Sequence, residues 1–138
     1  MKLTRRNTLM LGLGAAAVAV LPVRATAAAE EAIAAFTGGA DVGSDGITLI
    51  APEIAENGNT VPIEVDAPGA EAIIVLAAGN PTPGVATFNF GALAAAQSGS
   101  TRIRLAGTQD VVAIARMPDG SFVQASQEVK VTIGGCGG

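Results

Sequence analysis

The sequence of 138 residues has no histidine, no tryptophan and no tyrosine, and only four phenylalanines and one cysteine. Each shortage removes a class of chemistry. Without histidine the chain lacks the commonest general base and the commonest metal ligand. Without aromatic platforms it has little on which to stack a base or a sugar. One cysteine cannot close a disulfide within the chain, although a bridge between two chains is open to it. Positive charge is scarce as well. Of eight basic residues, Lys2, Arg5, Arg6 and Arg24 precede residue 25, and all twelve acidic residues lie from Glu30 onward. The segment after residue 27 thus sets Arg102, Arg104, Arg116 and Lys130 against twelve acids, a net of minus eight. No basic surface is left to neutralise phosphates, which excludes nucleic acid as a partner.

Long apolar runs are missing too. The longest, from Leu9 to Leu21, falls short of the roughly 20 residues a membrane span requires. It follows a basic start and ends at Ala25-Thr26-Ala27, a small-x-small cleavage site, so residues 1–27 read as a targeting peptide cut after Ala27. Arg5-Arg6, within Thr4-Arg5-Arg6-Asn7-Thr8-Leu9, resembles the twin-arginine export motif, with Thr8 where a bulky apolar residue is usual. The expected destination is the periplasm. A lipoprotein anchor has no cysteine to use, since Cys136 sits at the opposite end of the chain.

What remains is enough for one domain, predicted over residues 28–133. Ala28 to Phe36 is rich in Ala and Glu, with Ile33 and Phe36 spaced three apart, which predicts a short helix stopped by Gly38-Gly39. From Ile47 onward the pattern changes to short β-branched runs between Pro, Gly, Asn and Asp clusters. The predicted strands are 47–50, 60–66, 71–76, 85–90, 101–105, 110–117 and 122–133, the last with a break near Ser126. Seven strands and a core of Val, Ile and Leu point to an all-β class: an immunoglobulin-like antiparallel sandwich without the paired cysteines and Trp of antibody domains. In Thr101-Arg102-Ile103-Arg104-Leu105 the arginines alternate with apolar residues, so one face is wet and the other is core. Asn57-Gly58 and Asp119-Gly120 are dipeptides suited to turns with positive φ, and the second predicts a hairpin.

The last strand runs directly into Gly134-Gly135-Cys136-Gly137-Gly138. Ordering glycines without side chains to pack is entropically unfavourable, so this tail is predicted to be a mobile arm. Extended, Gly134 to Cys136 would carry sulfur on the order of 10 Å past the strand. Free cysteine is usually a buried small hydrophobe, but third from the end, among four glycines, Cys136 has nothing to bury it. Lys130 is six residues away, so activation of the thiol is expected from a partner's pocket rather than from this chain.

Val129-Lys130-Val131-Thr132-Ile133-Gly134-Gly135-Cys136-Gly137-Gly138 resembles the C-terminal signature of SoxY, the sulfur-carrier subunit of bacterial thiosulfate oxidation. The resemblance extends to Ala51-Pro52-Glu53-Ile54-Ala55-Glu56-Asn57-Gly58 before Val61-Pro62, and to Ser100-Thr101-Arg102-Ile103-Arg104-Leu105-Ala106. It implies a sandwich bound to a SoxZ-like subunit as a heterodimer, with disulfide-linked heterotetramers as an extension. It implies no cofactor beyond sulfur substrate held covalently on Cys136. A SoxXA-like c-type cytochrome complex would load that cysteine as an S-thiosulfonate; a SoxB-like thiohydrolase and a SoxCD-like sulfane dehydrogenase would process it. The chain itself is then no enzyme.

Three other readings stand beside this one. Gly137-Gly138 would be an activatable terminus in a thiocarboxylate carrier, a cytosolic and ubiquitin-like solution that export and strand content oppose. A cysteine-nucleophile enzyme would lack a base. A structural or adhesion sandwich would leave the tail inert. Two smaller features read blandly: Asn80-Pro81-Thr82-Pro83-Gly84 as a stiff loop, and Glu53 with Glu56 as a solvated turn. The core is thin for a domain of this size, so a second sandwich covering an apolar face would help, with Arg102 and Arg104 as candidate contacts.

Overall fold

In the computed structural model, residues 27–134 are described. Arg5, Arg6, Gly135, Cys136, Gly137 and Gly138 lie outside them. The described residues open with helix α1 (Ala27–Thr37) and continue through β1 (Val42–Gly43), β2 (Thr48–Ile50), β3 (Ile54–Asn57), β4 (Val61–Asp66) and β5 (Ala72–Ala77). They end with β6 (Gly84–Asn89), β7 (Ser98–Ile103), β8 (Gln109–Arg116) and β9 (Phe122–Ile133). The larger sheet runs β1-β9-β8-β5-β6 with β3 also paired to β9; the smaller runs β2-β4-β7.

Alternation decides which residues meet between the sheets. Along β4, Val61, Ile63 and Val65 are buried while Pro62, Glu64 and Asp66 are exposed. These three pack with Ile103 and Leu105 against Ile73, Val75, Val111, Ala113 and Val129 of the other sheet. The sandwich is therefore all-β, built on β-branched side chains, as the composition requires. Gly99 of β7 faces this core opposite Val65. A Cβ there would come within 2.6 Å of the Phe88 ring, so the aromatic side chain occupies the space that the glycine leaves.

β5 is apolar on both faces because both are covered. Its outer side, with Leu76, joins Ile114 and Phe122 in a second cluster beneath Ile33 and Phe36 of α1. Phe36 and Phe122 meet edge to face at 5.7 Å, and the Arg116 guanidinium lies 5.8 Å from the Phe36 ring centre. The helix stops as expected: Gly38 and Gly39 adopt φ of 65° and 82°, and the Gly38 amide donates to the Ala34 carbonyl at 2.8 Å.

Local differences separate structure from sequence expectation, beginning with the strand expected over 101–105, which is β7 at Ser98–Ile103. β9 is continuous through Ser126, because β8 pairs with it residue for residue from Phe122 to Val129. β1 and β3, two short strands beyond the expected seven, pair with β9 in parallel. Finally, positive φ occurs at Gly120 but not at Gly58. The Asn57 carboxamide holds that turn instead, accepting the Asn59 amide at 3.0 Å.

Candidate functional site at the root of the C-terminal arm

Cys136 follows β9 by three residues, so the end of β9 determines where the thiol starts from. β8 ends its pairing at Gln109 opposite Val129, which leaves the last four residues of β9 without an antiparallel neighbour on that side. A short strand and a loop flank them. On one flank β3 lies parallel, with Ile54 beside Lys130, Ala55 beside Val131 and Asn57 beside Ile133; the Lys130 amide donates to the Glu53 carbonyl at 2.9 Å. Glu53 therefore precedes β3 and Glu56 lies within it, rather than the two forming a turn, and both are exposed. On the other flank the Val131 amide donates to the Thr108 hydroxyl at 3.0 Å.

Gly58 ties these flanks together. Its amide donates to the Ile133 carbonyl at 2.7 Å, and its carbonyl accepts from the Leu105 amide at 2.8 Å. The 104–109 loop is in turn shaped by Asn80, which is 1% exposed. The Asn80 carboxamide donates to the Arg104 carbonyl at 2.7 Å and accepts from the Ala106 amide at 2.9 Å and from Gln109 Nε2 at 2.8 Å. Gln109 Oε1 accepts the Gly79 amide at 2.8 Å. Every buried polar side-chain atom among the described residues has a partner, as a buried network requires. Residues 80–83 form a loop that leads into β6 at Gly84, with Asn80 and Pro83 buried rather than presented to a ligand.

Gly134 closes the assembly. A Cβ on it would collide with the Ala106 carbonyl oxygen and lie 3.3 Å from the carbonyl carbon. Beside it, Ile133 is 65% exposed, an apolar side chain at the exit of the strand. Ala27, the expected cleavage point, is the first residue of α1 at a distance in sequence from this site. Arg102 and Arg104 are exposed, as alternation predicts; Arg102 borders an open groove with Ile50, Pro52, Pro62 and Glu64 on the outer face of the smaller sheet. No group of metal-ligating side chains occurs among the described residues, and no helix among them is long and apolar enough to cross a membrane. Of the site residues, the sequence brought attention to the glycine tail and Gly58. It read Asn80 only as part of a stiff loop and gave no reason to single out Thr108 or Gln109, whose bonds depend on contacts distant in sequence.

A family model described as sulfur oxidation protein SoxY matches residues 33–136, from within α1 to the cysteine itself. The chain belongs to the SoxY family. Among solved structures, the sulfur carrier protein SoxY from Chlorobium limicola f thiosulfatophilum is 38% identical, with a TM-score of 0.65 over 75% of this chain and 96% of that one. A superoxide reductase (neelaredoxin) from Ignicoccus hospitalis superposes with a TM-score of 0.56 at 17% identity, covering 64% of this chain and 81% of its own. At that identity the likeness concerns the sandwich alone. A search of curated proteins gave no significant match.

Proposed function

We propose that this SoxY-family chain carries sulfur substrate covalently on Cys136 while partner enzymes act on it. The observation that carries the reading is the family match, which extends through Cys136 and covers the strand that leads to it. The 38% identical relative named as a sulfur carrier supports it. In the first step the thiol sulfur joins the terminal sulfur of thiosulfate, a proton leaves the thiol, and two electrons pass to a c-type cytochrome partner. Water then cleaves the bond between the sulfane sulfur and the sulfonate group, releasing sulfate and leaving a persulfide on Cys136. A further partner oxidises that sulfur. A thiol suits such service because disulfide-type linkages resist water yet remain open to attack and oxidation.

In this reading the carrier contributes reach, and the partners supply the acid and base groups. A SoxZ-like subunit completes the sandwich pair, and SoxXA-like, SoxB-like and SoxCD-like enzymes visit the arm. Export by the twin-arginine route, read from Arg5 and Arg6, places this work in the periplasm. The test is thiosulfate-dependent cytochrome reduction by the reconstituted partners. Wild type and Gly138→Ala should support it equally, and Cys136→Ser should not; loss with Gly138→Ala would favour the thiocarboxylate reading instead.

A further inference from the structure

We infer that Gly134 is a positioning residue, fixed to the domain as the root of the arm, so that motion of the carrier thiol begins after it. The inference rests on the carrier reading of Cys136. Three observations converge on it. The Ile133 carbonyl is held by the Gly58 amide at 2.7 Å, and Gly58 is itself tied to Leu105. The Val131 amide is held by Thr108 across the strand. The space where a Gly134 Cβ would stand is filled by the backbone carbonyl of Ala106. That last neighbour is main chain, in a loop fastened on both sides of Leu105 by the buried Asn80, so it has no flexible end to yield. Glycine stands at this position because of close backbone approach.

The functional consequence is a shorter, better aimed tether. Cys136 is two residues from a fixed point, a reach of roughly 7 Å. A shorter tether confines the thiol to a smaller volume around Gly134. That raises its effective concentration at a partner seated there. Ile133, exposed beside the root, lies in the same zone.

Backbone 15N relaxation on the full mature chain tests this without a variant. Gly134 should show an order parameter near about 0.8, like the strand, and the glycines after Cys136 values under about 0.6. An order parameter at Gly134 equal to that of Gly137 would overturn the inference. A pair of variants adds an independent arm. Gly134→Ala should lower the unfolding temperature by at least about 5 °C and speed amide exchange at Gly58 and Val131, whereas Gly135→Ala should leave both unchanged. Equal behaviour of the two variants would contradict a fixed root. In Gly134→Ala the rate at which partners load thiosulfate should fall several-fold, while a small thiol reagent modifies Cys136 at the wild-type rate. An unchanged loading rate would remove the positioning role. Should wild-type Cys136 accept no sulfur at all, the carrier reading fails while the relaxation data still decide whether Gly134 is fixed.

Discussion

Asn80→Ala offers a quantitative test of the network beneath the arm. The wild-type carboxamide makes three side-chain hydrogen bonds of 2.7 to 2.9 Å from a position that is 1% exposed. A hydrogen bond contributes about 1 kcal/mol net, and a buried group left without a partner costs about 1–3 kcal/mol. Arg104 and Ala106 are exposed residues whose freed backbone groups can turn to water, and Gln109 Nε2 keeps its bond to the Gly107 carbonyl at 3.0 Å. These considerations hold the total near the lower end, at about 2–4 kcal/mol. Against a domain stability of about 5–15 kcal/mol this is a large fraction. In urea, with a slope of about 1.5 kcal/mol per molar, the midpoint should fall by roughly 2 M. Thr87→Ala, at an exposed position on β6, serves as the control and should change stability by less than about 0.5 kcal/mol. A loss under about 1 kcal/mol for Asn80→Ala would refute the view that this side chain organises the 104–109 loop.

Other predictions concern the core and the hairpin. Gly99→Ala should destabilise the domain by about 1–3 kcal/mol through overlap with Phe88, and Phe88→Leu in the same chain should recover part of that loss, measured as a double-mutant cycle. The Asp119 carboxylate accepts from the Ser121 hydroxyl at 2.6 Å and its amide at 2.9 Å, and these bonds hold its pKa below the ordinary value of 3.8. Its contribution to stability is thus present above the unfolded-state pKa and is lost as pH falls through the lower folded-state value. The difference in unfolding midpoint between wild type and Asp119→Ala should accordingly be constant near neutrality and vanish in acid; a difference that grows below pH 3.8 would reverse the assignment.

How far the sequence spoke depends on the range of the interaction involved. The alternation read in Thr101 to Leu105 follows from side-chain direction, and its arginines are exposed while Ile103 and Leu105 are buried, although β7 itself ends at Ile103. The Asp119-Gly120 hairpin and the Gly38-Gly39 helix stop are local and appeared where expected, with positive φ at the glycines. β3 was hidden because Ile54-Ala55-Glu56-Asn57 is short and ends in turn residues; its strand character comes from the parallel ladder to β9, a partner more than 70 residues away. Likewise Gly58 looked like a residue chosen for its dihedral freedom, whereas its structural role is to bond Ile133 and Leu105 at once. The glycines of the tail look alike in sequence. The approach of Ala106 to Gly134 has no signature in that run.

The central claim is that Cys136 holds the substrate, and intact mass spectrometry on the protein isolated from its own cells addresses it most directly. The account predicts adducts with the mass of sulfur or thiosulfonate that a reductant removes and that Cys136→Ser lacks while its unfolding midpoint matches wild type. An unmodified thiol in cells that are actively oxidising thiosulfate would contradict it.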